Sequence, residues 1–370
     1  MIIAARASHW TSAAQYVETW LRISIQSSLT NAWADAGHEI ARADFRLPQS
    51  QTTPVLPPIQ RLHNTKVESI NRILVVSNPT FLLGFDKTYG EIDKWSFMEH
   101  NVVCQGAGPR LTFWRGPTDN DKGGQLGEWK SHRLHEMTYE VRSIRHEINK
   151  ESGALEICVV SYVAPPVLAW GFDTTTTYTV HDDGKLQIHV KASPRGPAPA
   201  TLPRIGLEML LPADDITRCQ WFGLGPGQTY KDMKSEGQLG VWDQSLSFME
   251  YFYDRPQENG NRTETRWVKV TNERGFGLKA ILERGGEVDD GDNNARPQPS
   301  FDFSLSHVTA AELERAEHPY QLKGAGGVVF RIDDDHHGLG SAACGPDVQE
   351  QYQLKMRTFD FTVSLEPISG

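Results

Sequence analysis

Apolar and polar residues alternate with a period of two through much of the chain after Asn71, the spacing of half-buried β-strands. Leu186, Ile188 and Val190 fall on one side, with Lys185, Gln187 and His189 on the other. A Thr-rich run, Thr174 to Thr179, precedes them across Asp183-Gly184, so the two segments read as a hairpin. Phe359 to Leu365 gives the clearest alternation. Tyr352, Leu354 and Met356 hold the opposite parity, which predicts a bulge or bend between the two halves. Further strands are expected at 155–163, 204–211, 266–271, 277–282 and 328–332. One helix has a start signal, the capping box Thr309-Ala310-Ala311-Glu312 that opens Ala310 to Ala316.

The beginning of the chain differs from the rest. Val17 to Ile25 is apolar and extended, and a second short extended segment ends at Phe45 and Leu47. Pro48, Pro54, Pro57 and Pro58 then interrupt a polar stretch and forbid regular pairing, so residues 49–66 read as a linker. A piece as small as 1–48 buries too little core to stand alone and is expected to be the remnant of a truncated domain. The body, 67–370, predicts an all-β fold, a large antiparallel sandwich. No train of strands and helices alternates, and a (β/α)₈ barrel of about 250 residues has no room here.

Composition narrows the function. Glycine and proline together make 53 of the 370 residues, more than a helical bundle tolerates. There are 47 acidic against 37 basic residues, a net charge of −10, and no window clusters lysine and arginine. Nucleic acid and anionic membranes are thereby excluded as partners, since both need a dense basic face. The longest aliphatic run is Ile73-Leu74-Val75-Val76, far short of the roughly 20 residues of a membrane span. Met1 to Arg6 gives no export signal, and Cys104, Cys158, Cys219 and Cys344 stand far apart with no CxxC pair. Free thiols in a reducing cytoplasm are expected, and the sequon Asn261-Arg262-Thr263 would matter only in a secreted protein.

The candidate motifs have ordinary explanations when taken singly. Trp114-Arg115-Gly116-Pro117-Thr118-Asp119-Asn120-Asp121 carries carboxylates but is dense in turn formers and reads as a structural turn. Gly223-Leu224-Gly225-Pro226-Gly227 lacks the Gly-Lys-Ser/Thr of a phosphate loop and reads as a turn. Asp333-Asp334-Asp335-His336-His337 offers metal-ligand chemistry, yet neighbours on an extended segment point apart, so a solvated loop is expected and no metal site is assigned. Gly338 to Pro346 places Cys344 among small residues that let a ligand or another chain approach the backbone; a buried structural thiol is the default. The aromatic stretch Trp221, Tyr230, Trp242, Tyr251, Phe252 and Tyr253 suits sugar faces, although sandwich core is the commoner fate.

Taken together, these segments resemble the C-terminal domain of glycoside hydrolase family 2 β-galactosidases. Trp114 to Asp121 is similar to that domain's Arg-Ala-Pro-(Thr/Leu)-Asp-Asn-Asp motif. The likeness continues in order through Arg204-Ile205-Gly206-Leu207, Trp221 to Pro226, Tyr230-Lys231-Asp232, Pro256-Gln257-Glu258-Asn259-Gly260 and Gly338-Leu339-Gly340, covering about 67 to 366. Residues 17–47, with Trp33 and Ala36-Gly37-His38-Glu39, resemble the last strands of the preceding immunoglobulin-like domain. The resemblance implies a galactose-mutarotase-like β supersandwich, also called the small chain. It also implies that the catalytic glutamates and the Mg and Na ligands belong to a barrel and other domains outside this chain, so Glu258 is not a catalytic glutamate. No catalytic residue and no cofactor is assigned here. One loop of the domain reaches the family's active site, carrying a substrate-stacking tryptophan in the bacterial type; Cys344 takes that place here, as in fungal lactases, in a loop one residue shorter. The expected function is the C-terminal part of a lactose-hydrolysing β-galactosidase, with a β-galactoside and a barrel-bearing large chain as partners and a homo-oligomer open. The alternatives are a sugar-binding or aldose-1-epimerase-like protein, which would need a His and Glu pair converging in a cleft, and an inactive relic.

Overall fold

A computed structural model describes residues 2–11, 17–47, 65–149, 153–213, 216–284, 300–343, 345 and 347–370. The chain divides into two compact units, 1–58 and 59–370. In the larger unit a nine-stranded antiparallel sheet runs, in spatial order, through Thr138–Ile148, Leu155–Ala164, Gly171–Val180, Leu186–Arg195, Phe359–Ile368, Gly277–Arg284, Trp267–Thr271, Arg218–Gly225 and Gln238–Ser245. The Phe359–Ile368 strand joins two groups of strands, one within 138–195 and the other within 218–284, pairing with Leu186–Arg195 on one side and Gly277–Arg284 on the other. A five-stranded sheet follows the order Arg262–Thr265, Phe301–Ser306, Gly327–His336, Arg204–Pro212, Arg110–Thr112, and a second five-stranded meander spans Lys66 to Asn101.

Alternation produces the core directly. Leu186, Ile188 and Val190 are buried while Gln187 and His189 are half-buried, and the same rhythm holds at Phe359, Phe361 and Val363. These side chains belong to one hydrophobic cluster with Leu207, Phe303 and Phe330 of the five-stranded sheet, so the two sheets share a core as a sandwich. Phe113 stacks on Phe172 at 4.6 Å within it. The fold is all-β and antiparallel, as the alternation predicts. The Thr309 capping box is present and opens a helix, Ala310–Arg315. Among the described residues no helix is long and apolar enough to cross a membrane.

Three local expectations need correction. Asp333 to His336 is not a solvated loop but the end of the Gly327–His336 strand, buried along its whole length, with His337 buried just beyond it. Gly223 and Gly225 lie within the Arg218–Gly225 strand, which leaves only Pro226-Gly227 to turn. Tyr352, Leu354 and Met356 form no strand: Glu350–Tyr352 is a short 3₁₀ turn, and Leu354 is buried at the end of a loop. Their parity differs from that of Phe359 because they are not part of its strand.

The smaller unit is a three-stranded antiparallel sheet, Ile2–Thr11, Val17–Gln26 and Glu39–Arg46. The first strand was not expected. One face carries the Arg22–Asp44 ion pair at 2.7 Å. The opposite face brings together Leu21, Ile23, Ile25, Ala41, Ala43 and Phe45, none of them buried. Residues 49–64 of the expected linker lie outside the described residues.

Candidate functional site

The most elaborate polar architecture gathers around the Trp114 to Asp121 motif. Thr118 and Asp121 form a reciprocal capping box on the short helix Asp119–Gly123. The second carboxylate oxygen of Asp121 pairs with the Arg115 guanidinium at 2.6 Å, and both side chains are buried. Arg115 Nη1 donates to the His337 carbonyl at 2.7 Å, and Nη2 reaches the Gly338 carbonyl at 3.4 Å. Asn120 Nδ2 donates to the Leu339 carbonyl at 2.7 Å. The motif is structural, but where its composition predicts a turn it forms the capped start of a helix, and it also grips the base of the loop that begins at Gly338.

The same loop is held from its other side by Asp232. The Asp232 carboxylate accepts from Leu339 N at 2.9 Å, Ser341 N at 2.8 Å and Ser341 Oγ at 2.7 Å. Burial works to raise the Asp232 pKa, but these donors outweigh it and hold the carboxylate below its ordinary value. Exposure increases along the loop: His337 and Gly338 are buried, Leu339 to Ala342 half-buried, Ala343 and Gly345 exposed. Cys344, the predicted site residue, lies outside the described residues, so its contacts are not defined.

Next to the loop the three carboxylates of the Asp333 to His337 run are each paired with a cation of the protein. Arg204 meets Asp333 through two nitrogens on two oxygens, deep in the core. Burial opposes the Arg204 charge, but Asp333 more than offsets it and leaves the guanidinium pKa raised. Lys231 bonds Asp335 at 2.9 Å, and Arg357 lies 3.3 Å from Asp334. Each carboxylate therefore faces a cation, which is the wrong electrostatic partner for a metal site, and no metal-binding cluster forms among the described residues. His336 and His337 are pushed to low pKa by burial and by Arg115, His337 to about 3, so both are neutral at ordinary pH.

Sequence reasoning missed Arg115, Asn120 and Asp232 as a group because they converge on the loop from two separate regions of the chain. A His and a Glu do lie close to this turn: His336 Nδ1 is 3.1 Å from Arg115 Nη1, and Glu258 Oε2 accepts from Gly116 N at 3.3 Å. Both are sealed, at 0% and 4% exposure, which closes them to a sugar of the kind an epimerase would handle. The aromatic stretch is divided. Trp221 and Tyr230 are core, while Phe252 is exposed. Asn261 of the sequon is buried, with its amide on the Thr229 carbonyl at 3.0 Å, so it is closed to modification in the fold. Cys104, Cys158 and Cys219 are free thiols.

Comparison with known proteins bears on this geometry. The family described as "Beta galactosidase small chain" matches residues 77–365. The beta-galactosidase of Kluyveromyces lactis is 30% identical over 331 residues, covering 89% of this chain and 30% of the relative. That of Priestia megaterium is 28% identical over 329 residues, covering 86% of this chain and 28% of the relative. The chain therefore spans less than a third of the length of these relatives. The solved galactose 1-epimerase of Lactobacillus acidophilus superposes at a TM-score of 0.41 with 9% identity, over 83% of this chain and 99% of that one.

Proposed function

The chain belongs to the β-galactosidase small-chain family, and we propose that it acts as the C-terminal part of a β-galactosidase, completing the active site of a separate catalytic chain or domain. The match over 77–365 supports this most strongly. In this reading a partner carries the two carboxylates of a retaining glycosidase, about 5 Å apart, with its metals. This chain adds the loop from Gly338 to Pro346, in which Cys344 is the substrate-binding residue that the family resemblance implies. The loop suits that role because its base is gripped by Arg115, Asn120 and Asp232 while its crest emerges from the core. The three-stranded unit is then one part of an immunoglobulin-like sandwich, a reading supported by its uncovered apolar face.

Hydrolysis needs both carboxylates in place, so the purified chain should not turn over a chromogenic β-galactoside. Mixing it with a β-galactosidase deleted for this domain should restore turnover. Activity of the chain alone, surviving a control purification, would sink the proposal, and so would failure to complement any such deletion.

A further inference from the structure

We propose that Asp232 is a positioning residue that sets the pose of the loop from Gly338 to Ala343 and, through it, the enzyme's affinity for the galactoside. The affinity part rests on the reading of that loop given above; the positioning part rests on geometry alone. Asp232 sits in a turn closed by two backbone bonds, Tyr230 N to Met233 O at 3.1 Å and Met233 N to Tyr230 O at 2.9 Å, with the Tyr230 ring buried against His336 at 5.5 Å. Its carboxylate is therefore delivered from a rigid support. Three donors from two loop residues converge on it, and Ser341 Oγ in turn accepts from Gln349 N at 3.1 Å on the far side of the loop. The approach is so close that a Cβ on Gly338 would stand 2.7 Å from Asp232 Oδ2, which only glycine avoids.

The two anchors have complementary chemistry. Arg115 and Asn120 donate to carbonyls of His337, Gly338 and Leu339, whereas Asp232 accepts from the amides of Leu339 and Ser341. A neutral side chain could match the first set only in part, and a cation could not replace the second. Lys231, its neighbour, is turned to Asp335 at 2.9 Å. The Asp232 charge is thus directed at the loop backbone, where charge-assisted bonds are stronger than neutral ones.

The test compares the full chain with its Asp232→Asn and Ser341→Ala variants. Amide exchange should accelerate about tenfold at Leu339 and Ser341 in Asp232→Asn, as expected for losing one charge-assisted bond, while the Leu186–Arg195 strand exchanges as before. Ser341→Ala, which removes the hydroxyl donor to Asp232 and the acceptor of Gln349 N but keeps both backbone donors, should give a smaller acceleration at residues 339 and 341. In the mixture with the domain-deleted β-galactosidase, Asp232→Asn should raise KM about tenfold and leave kcat within about twofold. Unchanged exchange at Leu339 and Ser341 overturns the positioning role. Accelerated exchange with unchanged KM in an active mixture overturns the link to affinity. A wild-type mixture with no activity overturns the functional reading and the affinity half with it, and leaves the exchange result to decide positioning.

Discussion

At the scale of single residues, burial decides chemistry that composition leaves open. Asp333 reads in the sequence as a solvated carboxylate and in the fold is locked to Arg204 in the core. Removing one partner of such a pair strands the other, typically at about 3–5 kcal/mol. His337 supplies a sharper measurement. Its Nδ1 accepts from Leu354 N at 3.1 Å, and burial with Arg115 nearby lowers its pKa from 6.5 to about 3. The folded value lies below the ordinary one, so the unfolded chain binds the extra proton. Stability is full above pH 6.5 and drains as pH falls from there toward about 3. Between about pH 7 and pH 5 this one group should remove about 2 kcal/mol. Urea unfolding at the two pH values should show a loss smaller by about that amount in His337→Gln, whose side chain can still accept from Leu354 but does not titrate. Equal pH dependence in both proteins would refute the assignment of a buried neutral imidazole.

At the scale of elements, register controls which side chains meet. The Arg204–Pro212 strand pairs Ile205 with Asp335 but Gly206 with Asp333, so Asp334 is the extra residue of a bulge. That extra residue is why simple alternation misjudges the Asp-Asp-Asp-His-His run. The bulge brings Asp333 against the backbone at Gly206, where a Cβ would stand 2.0 Å from Asp333 Oδ1 and 2.5 Å from the Ile332 carbonyl. Gly206→Ala should therefore push Asp333 off Arg204 and cost at least about 3 kcal/mol, the scale of breaking a buried pair. A thermal melt within a degree or two of the wild type would show that the strand relaxes without losing the pair. The short helix Asp119–Gly123 illustrates the limit of pattern reading. At five residues it is too brief for a helical period, and only its capping residues betray it.

At the scale of the whole molecule, the two units differ in how completely they cover their apolar surface. The sandwich buries Phe113, Phe172 and Phe361 to 2% exposure or less, while the three-stranded sheet leaves Phe45 at 51% and Ile40 at 56%. An apolar sheet face open to water invites association. Sedimentation velocity should show concentration-dependent self-association of the full chain, relieved in a chain reduced to 59–370. The shortened chain should keep the main melting transition, because the shared core of the two large sheets lies within it. Association that persists after the deletion would place the sticky surface on the sandwich.

The all-β class, the hairpin at Asp183-Gly184, the Thr309 helix start and the Phe359 strand are all legible in the chain's residue pattern. Each rests on local periodicity or on a cap, which a few neighbouring residues fully specify. The ordered motifs from Trp114 to Gly340 likewise make the family legible, and they include the Tyr230-Lys231-Asp232 and Gly338-Leu339-Gly340 segments that the fold joins. What they do for one another is not legible, because Asp232 and Ser341 lie 109 residues apart and Arg115 and Gly338 lie 223 apart. Contacts at such separation depend on how the strands pair, and a single bulged residue, Asp334, changes which side chains face each other. Only the tertiary structure could turn a run of acids and histidines into buried core, and a set of turn formers into the grip on an emerging loop.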